Sequence, residues 1–290
     1  MDSASSSEDD SNNIVQHKGW SENNEPRMFE KTVEEKGCKE IVEALTEEEL
    51  EAMPDENMPM RHFRADKGNV TKAIKRIKYA IQWRQDFGVE RILRAACNGN
   101  PTNDEEKEIR SILMEESSTG KLYVRNHDND NRAILYLYPV RENSNHPEHN
   151  IMNLVYQIER SIACTEKNGL EKIVIVADFK NWKLKDASPM EVTKKTIHIL
   201  QECYVERVAK FFITNAPIIF RTFWSLVQPF LDPVTKEKVV FCTSNKGILK
   251  LRTSFDEKKV EKCALGVSDL KAFDVTDYYA TPLDTTFDEM

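Results

Sequence analysis

Residues 208–245 read VAKFFITNAPIIFRTFWSLVQPFLDPVTKEKVVFCTSN and decide how the rest of the chain is interpreted. Phe211–Ile213 and Val239–Phe241 are short apolar runs rich in strand-forming residues, which predict two buried strands. Between them, Asn215 and Pro217 predict the start of a helix, because Asn caps helix N-termini and Pro suits the first turn. The order strand, helix, strand is typical of an α/β domain.

The helix predicted over residues 217–231 is unusually apolar. Nine of its 15 residues are apolar, and Arg221 is its only charged residue. The apolar side chains expected on its main and adjoining faces are Ile219, Phe220, Phe223, Trp224, Leu226, Val227 and Phe230. An apolar arc of this width exceeds what packing on a sheet requires. Two interpretations remain open: a core helix buried on all sides, or a helix that contacts lipid.

Composition places the chain among globular proteins. It has 290 residues, of which 40% are hydrophobic and 31% charged, and no run approaches the roughly 18–20 apolar residues of a membrane span. The six cysteines include no C-x-x-C pair. This spacing favours reduced thiols and a cytosolic protein over a disulfide framework or a zinc site.

Charge is distributed unevenly along the chain. Residues 1–60 carry a net charge of −12, whereas residues 61–290 carry +4. A mildly basic body is compatible with transient docking on an anionic membrane, and equally with a solvated surface of mixed charge. No basic stripe is present, so a nucleic-acid partner is not expected.

The first part of the chain predicts a helical unit. Residues 1–28 are acidic and polar and are expected to be a disordered tail. A helical segment is predicted over 31–53, with a capping box at Thr46–Glu49, and a clearer helix begins at Asn69 and ends at Gly88. We therefore assign residues 29–117 to a small all-helical N-terminal domain.

The second part alternates between strands and helices. Strands are predicted at 122–124, 133–138 and 172–178. Helices are predicted over 150–168 and from a capping box at Ser188–Glu191 to about Tyr204. This alternation indicates an α/β domain with a mostly parallel sheet over residues 118–270, followed by a loose acidic C-terminal tail over 271–290.

The sequence gives little support for catalysis. It contains no glycine-rich dinucleotide or Walker motif and no G-x-S-x-G nucleophile elbow. His146 and His149 flank Pro147 without an obvious further metal ligand, and Asp178 lies at a strand end without a paired nucleophile. We therefore expect neither an enzyme nor a bound metal or cofactor.

Three motifs of the chain match one known family. They are Asn215-Ala216-Pro217 after a strand, the run PFLDPVT at 229–235 followed by Lys238, and YVER at 204–207. Together they resemble the CRAL-TRIO domain of the phosphatidylinositol/phosphatidylcholine transfer proteins. Looser matches at 61–67 (RHFRADK) and at Trp83-Arg84 resemble the family's N-terminal helical domain, so the resemblance covers roughly residues 43 to 265.

The resemblance implies a hydrophobic pocket on the floor of the sheet, closed by a movable gate helix at 217–231. The side chains implied for the gate and pocket are Ile219, Phe220, Phe223, Trp224, Val227 and Phe230. The family's inositol-phosphate contacts carry over to Glu206, Thr235 and Lys238. Lysine can neutralise a phosphodiester, threonine can donate a hydrogen bond to it, and a carboxylate can accept from ring hydroxyls. Each of the three could instead serve only a surface pair, a turn or a strand start.

Two positions depart from the family pattern. An arginine of the family's phosphate site falls on Asp66, which cannot donate to a phosphate, although Lys67 could substitute for it. The hydroxyl contacts to choline lipid fall within residues 182–186, WKLKD, where no hydroxyl stands. Binding of a choline lipid, and hence two-lipid exchange of that kind, is not expected.

The sequence predicts a cytosolic, monomeric lipid-binding protein that takes up phosphatidylinositol as its ligand. It would exchange the lipid with membranes or present it to a lipid kinase. Three alternatives remain: a CRAL-TRIO carrier of another hydrophobic ligand, such as a sterol, a retinoid, a tocopherol or another phospholipid; a scaffold or regulatory protein; and a hydrolase on the same sheet.

Overall fold

The computed structural model describes residues 29–97 and 101–287; the acidic tail predicted over 1–28 lies outside them. The helices are α1 (Lys31–Glu43), α2 (Glu47–Glu51), α3 (Met58–Ala65), α4 (Val70–Phe87), α5 (Val89–Cys97), α6 (Asp104–Ser117), α7 (Pro147–Glu166), α8 (Met190–His198), α9 (Phe220–Val227), α10 (Pro233–Lys238), α11 (Asn245–Ser254) and α12 (Val275–Ala280). The strands are β1 (Leu122–His127), β2 (Ala133–Leu137), β3 (Ile173–Asp178), β4 (Val208–Thr214) and β5 (Val239–Phe241).

The five strands form one sheet in the order β1-β2-β3-β4-β5. β1 and β2 are an antiparallel hairpin, and β2 to β5 run parallel, with Ile175 opposite Phe211 and Phe211 opposite Val239. The predicted mostly parallel α/β sheet is confirmed. Because β2 to β5 are parallel, their carboxyl ends lie along one edge of the sheet and their amino ends along the other.

Helices cover both faces of the sheet. On one face, Val174, Val176 and Phe212 pack in a core with residues of α5, α6, α11 and α12. On the other, Leu135 and Ile173 pack against α7. A strand buried on both faces must be apolar throughout, which explains the uninterrupted apolar run of β3.

The N-terminal helices have a separate core. Ile41 of α1, Phe63 of α3 and Ile77 of α4 meet in it and are almost fully buried. Local signals set the helix ends as predicted: Thr46 forms the capping box of α2, and Asn69 accepts a hydrogen bond from the backbone N–H of Lys72. Gly88 ends α4 in the left-handed conformation, with φ +75°, which glycine adopts at little cost.

The helix predicted over 217–231 is shorter than expected. α9 ends at Val227 and is followed by a 3-10 turn over Gln228–Phe230. Pro229 explains the end, because proline has no backbone N–H to donate to the carbonyl of residue 225, as a continued α-helix would require. Asn215 does not cap the helix; its side-chain amide instead donates to Asp178 (2.8 Å).

The capping box predicted at Ser188 is also absent. Pro189 occupies the N-cap position of α8, and no side chain caps that end. The helical segment does continue towards Tyr204, but its last turn, Ile199–Cys203, is a π-helix. Such turns are rare and often occur near functional sites.

The loose C-terminal tail predicted from residue 271 is wrong over the described residues. α12 forms within it, and Tyr278 (0% exposed) and Phe287 (1% exposed) are buried in the core on the α5–α6 face. Arg160 of α7 donates to the backbone carbonyls of Tyr278 (3.0 Å) and Thr285 (2.9 Å). The acidic composition of this segment gave no sign that its aromatic side chains would be buried in the core.

Among the described residues, no helix is long and apolar enough to cross a membrane. Five cysteines, Cys38, Cys164, Cys203, Cys242 and Cys263, are free thiols, as predicted.

Candidate functional site

A cavity of about 700 Å³ lies between the sheet and α9. Its floor includes Ile175 of β3 and Phe211 and Ile213 of β4, and Val192 and Leu200 form part of one wall. The volume falls within the range of about 300–1,000 Å³ typical of sites for small molecules. The lining is mostly apolar, so the cavity suits a hydrophobic ligand.

One side of α9 faces this cavity. Phe220 (3% exposed) packs on Phe179, with ring centroids 4.2 Å apart, and on Trp182 at 5.7 Å. The gate residues that line the cavity are Phe220, Phe223, Trp224 and Val227. Of the six gate residues predicted from the sequence, these four line the cavity, whereas Ile219 and Phe230 do not.

The other side of α9 faces away from the protein. Ile218 is 86% exposed, Leu226 54% and Ile219 45%. A core helix buried on all sides is therefore excluded. The apolar arc is wide because one side of the gate covers the cavity and further apolar side chains are exposed, at Ile218 and Ile219 just before α9 and at Leu226 within it. These exposed apolar side chains are interspersed with the exposed polar residues Arg221, Thr222 and Ser225.

The end of the gate is held to the opposite wall. Gln201, in the π-helical turn, donates from its side-chain amide to the carbonyl of Phe230 (3.2 Å) and accepts from the backbone N–H of Asp232 (2.8 Å). The ammonium of Lys194 lies 4.6 Å from the centre of the Phe230 ring. These contacts connect the gate with α8 and the turn after it.

The three predicted headgroup residues all line one end of the cavity. Lys238 and Lys172 place their Nζ atoms 3.1 and 3.2 Å from the same oxygen, Oε2 of Glu206. Burial alone would raise the pKa of Glu206, but the two ammonium groups outweigh it and hold the pKa below its usual value. A charged cluster of two cations and one anion therefore lies at this end of the cavity, where Glu206 and Lys238 line the cavity and Lys172 does not.

Glu206 has an uncommon backbone conformation. Its φ is +57°, in the left-handed region that residues other than glycine rarely adopt. Neighbours on both sides fix the turn: the Tyr204 hydroxyl donates to Glu159 (2.7 Å), and the Arg207 guanidinium donates to Asp55 (2.7 Å). The surrounding structure thus directs the Glu206 carboxylate towards Lys238.

Thr235 is engaged in the turn that begins α10. Its hydroxyl donates to Asp232 (2.5 Å), which also accepts from the Thr235 backbone N–H (2.9 Å). To donate to a ligand, the hydroxyl would have to leave Asp232. Thr235 therefore makes the contacts expected of a residue that serves only to hold this turn.

The departure at Asp66 has a structural counterpart. The Asp66 carboxylate forms an ion pair with Arg76, at an N–O distance of 3.4 Å, and does not line the cavity. Lys67, next in the chain, is exposed and lines the cavity, with φ +54°. Lys67 therefore occupies the position in which a cation could replace the missing arginine.

The cavity has a second polar end that the sequence analysis missed. It lies at the carboxyl end of β2 and is lined by Lys121, Glu142, Asn150 and Asn153. The Lys121 ammonium donates to Glu116, to Glu142 (2.6 Å) and to Asn150 (3.0 Å). The sequence does contain a signal that could have indicated this polar end: Asn150 and Asn153 lie three residues apart on an otherwise apolar part of α7.

Residues 182–186 bring no hydroxyl to the cavity, as predicted. Trp182 is buried and lines the cavity instead. Hydroxyl-bearing side chains do reach the lining a few positions later, at Ser188, Thr193 and Thr196.

No group of three His, Cys, Asp or Glu side chains within residues 29–97 and 101–287 is arranged to hold a metal ion. His146 and His149 lie side by side, with ring centroids 4.9 Å apart. Asp178 accepts from the backbone N–H of Lys180 (3.0 Å) and so caps the turn after β3.

Comparison with known proteins gives consistent results. The model of the CRAL/TRIO domain matches residues 117–266. A CRAL-TRIO domain-containing protein of Schizosaccharomyces pombe is 33% identical over 182 residues, which are 63% of this chain and 16% of that protein. The phosphatidylinositol transfer protein PDR17 of Saccharomyces cerevisiae is 29% identical over 187 residues, 63% of this chain and 51% of that protein.

This chain thus spans about half the length of PDR17 and 16% of the length of the Schizosaccharomyces pombe protein. The solved structure of Sfh5 shares the fold, with a TM-score of 0.56 and 16% identity over 77% of this chain and 84% of the other. The family match covers more than half of the chain and coincides with the sheet, α9 and the cavity. This chain therefore belongs to the CRAL/TRIO family, among the members similar to phosphatidylinositol transfer proteins.

Proposed function

We propose that this protein is a lipid carrier that binds phosphatidylinositol in the cavity beneath α9. It exchanges the lipid with membranes or presents it to a lipid kinase. The observation that carries the proposal is the charged cluster of Glu206, Lys172 and Lys238 at one end of an apolar cavity. A neutral terpenoid has no use for such a cluster, whereas a phosphodiester with a polyhydroxyl ring matches it.

The charges of the cluster suit both parts of an inositol phosphate. A lipid phosphate can replace Glu206 as the partner of Lys238, since phosphate accepts strong charge-assisted hydrogen bonds from an ammonium. The Glu206 carboxylate can then accept from inositol hydroxyls. The acyl chains lie along the apolar floor, where burial contributes about 0.8 kcal/mol per methylene.

The exposed face of α9 supports docking on a membrane. Ile218, Ile219 and Leu226 are available to enter the lipid surface while the cavity-facing side releases or takes up its ligand. We propose that this contact is transient, that the protein acts as a monomer, and that it turns over no substrate and needs no cofactor beyond the bound lipid.

The test is lipid mass spectrometry on the full chain, followed by uptake of phosphatidylinositol from vesicles. We expect phosphatidylinositol in the extract. Lys238→Ala should reduce its uptake about tenfold, because a hydrogen bond to a charged group contributes about 1.5–3 kcal/mol and 1.4 kcal/mol is a factor of ten.

Lys236→Ala is the matched control, because Lys236 also belongs to α10 but is exposed and does not line the cavity. It should leave uptake unchanged. Extracts without inositol lipid, together with equal uptake by both variants, would reject the proposal. The alternative, supported by the apolar majority of the lining, is a sterol, retinoid or tocopherol ligand, which the same extracts would reveal.

A further inference from the structure

Ser188 presents a hydroxyl without a partner. The sequence predicts that this residue caps α8, but Pro189 occupies the N-cap position, and no side chain of the described residues caps that end. Ser188 is exposed, and its hydroxyl makes no hydrogen bond within residues 29–97 and 101–287. It nevertheless lines the cavity, in the segment between β3 and α8. An exposed, unpartnered hydroxyl at the wall of the cavity is accessible to modification.

The residue after Ser188 determines which modification fits. Only two hydroxyl-bearing residues of the chain precede a proline: Ser188 before Pro189 and Thr281 before Pro282. Proline-directed protein kinases phosphorylate serine or threonine in this dipeptide. Thr281 is 4% exposed, and its hydroxyl donates to the backbone carbonyl of Asp277 (2.9 Å). The fold therefore distinguishes two sites that the dipeptide alone makes equivalent, and it leaves Ser188 as the accessible one.

The backbone around Ser188 also suits a kinase, whose active site takes its substrate segment in an extended conformation. Ala187 (φ −69°, ψ 132°) and Pro189 (φ −48°, ψ 140°) are extended, and a residue before a proline favours extended conformations. In the described part of the chain, the backbone N–H of Ser188 donates to no carbonyl. The first turn of α8, at Met190 and Glu191, has no side-chain cap that would oppose its unwinding.

We propose that Ser188 is a phosphorylation site for a proline-directed protein kinase, and that the phosphate promotes release of the ligand from the cavity. Oγ of Ser188 attacks the γ-phosphorus of ATP and forms a new P–O bond. The bond from this phosphorus to the oxygen that bridges to the β-phosphorus breaks, and ADP leaves with its electron pair. The hydroxyl proton passes to the carboxylate base of the kinase.

A phosphate on Ser188 is incompatible with the present wall of the cavity. It adds a charge of about −1.5 to −2 at pH 7 next to Ala187, which is apolar, and close in the chain to Asp186, a like charge; both residues line the cavity. The nearest lysines in the chain, Lys183 and Lys185, are exposed and do not line it. They attract the phosphate outwards, so the modified residue turns to solvent and this part of the wall withdraws from the ligand.

The test treats the full chain with ATP and a proline-directed kinase, a cyclin-dependent one and separately a mitogen-activated one, and locates phosphate by peptide mass spectrometry. We expect phosphate on Ser188 and none on Thr281. Ser188→Ala should lose this phosphate, whereas Ser188→Thr should keep it, since it retains the hydroxyl. Absence of phosphate from Ser188 with both kinases, or equal modification of Thr281, would overturn the inference.

A second measurement examines release, the part of the inference that rests on the proposed function. Fluorescent phosphatidylinositol is loaded before kinase treatment, and its loss to excess unlabelled vesicles is followed. Phosphorylated wild type should release it about threefold faster than Ser188→Ala treated in the same way, the effect of like charges near a protein surface. Equal rates would overturn the release step.

The two measurements separate this inference from the proposed function. If the untreated protein does not retain phosphatidylinositol, the proposed function fails, and the mass spectra alone decide whether Ser188 is the modified residue. Thermal melting of each variant checks that the fold is intact, because modification of Thr281 in an unfolded chain would not reflect its accessibility in the folded protein.

Discussion

At the scale of single residues, the charged cluster shows why position in the fold matters more than position in the chain. Lys172 and Lys238 are 66 positions apart in sequence, yet both ammonium groups lie within 3.2 Å of one Glu206 oxygen. β3 and β4 are neighbours in the sheet, which brings Lys172, just before β3, close to Glu206, just before β4. Lys172 is therefore a second positive charge beside Glu206 and is available to the proposed anionic headgroup.

We predict that Lys172→Ala lowers the retention of phosphatidylinositol by about three- to fivefold. The loss should be smaller than for Lys238→Ala, because Lys238 lines the cavity and Lys172 acts from behind Glu206. The measurement is phosphatidylinositol uptake from vesicles at low and high salt. An effect that exceeds that of Lys238→Ala would contradict this order.

Sequence reasoning reached some of these residues and not others. The motif around Glu206, Thr235 and Lys238 is continuous enough in the chain to be recognised, and all three line the cavity. Lys172 carries no local signal, since a lysine before a strand is ordinary. Its role depends on which strands are adjacent, and a sequence pattern without strand order cannot supply that.

At the scale of elements, the gate depends on a small number of polar contacts at its end. Gln201 bonds the backbone on both sides of Leu231, at the carbonyl of Phe230 and the N–H of Asp232. These bonds must break if α9 and the following turn move away from α8. Because Gln201 lies in the π-helical turn, the irregular helix end is what directs its side chain to the gate.

We predict that Gln201→Ala accelerates lipid exchange about thirtyfold with little change in lipid preference, because two hydrogen bonds of about 1 kcal/mol each are lost from the closed arrangement and 1.4 kcal/mol is a factor of ten. The measurement is transfer of fluorescent phosphatidylinositol between vesicles. Gln228→Ala serves as the control, since Gln228 is exposed on the same gate and its side chain makes no hydrogen bond to the described residues. Equal rates for both variants would show that Gln201 does not restrain the gate.

Secondary-structure patterns predicted most elements, and their failures have physical causes. β5 begins and ends at the predicted residues, and α4 begins and ends at its predicted caps. The prediction over 217–231 failed at its end because Pro229 stops the α-helix. The prediction for 271–290 failed because composition reports average polarity, whereas Tyr278 and Phe287 individually reach the core.

At the scale of the whole molecule, buried ion pairs join the helical N-terminal part to the lipid-binding sheet. Asp55, before α3, bonds to Arg61 (2.6 Å) and to Arg207 (2.7 Å), which directly follows Glu206. Arg84 of α4 bonds to Glu159 of α7 (2.5 Å). The orientation of Glu206, a predicted headgroup residue, is thus linked to the packing of the N-terminal helices.

We predict that Asp55→Asn destabilises the protein by about 3 kcal/mol at pH 7, the cost of removing one partner from a buried ion pair. Burial raises the pKa of Asp55, but Arg61 and Arg207 together hold it below its ordinary value of 3.8. The carboxylate therefore stabilises the fold above about pH 4, and this contribution is lost as the pH falls through the lowered pKa.

Urea unfolding of the wild type and the variant between pH 7 and pH 3 measures this difference in the free energy of unfolding. The difference should be constant down to about pH 4 and shrink below it. Glu56→Gln, at the exposed neighbouring residue, should change the free energy by less than about 0.5 kcal/mol at any pH. A difference that grows with acidification would contradict the assigned direction of the Asp55 shift.

The path of the chain after α11 has a consequence for biosynthesis. Tyr278 and Phe287 fill the side of the sheet that residues of α5 and α6 also cover, so this half of the core stays open until residue 287 has left the ribosome. The nascent chain would expose apolar surface of the hairpin and of α7 throughout synthesis of the remainder. We therefore expect chaperones to engage it during translation, and its first ligand to be loaded only after translation has passed that point.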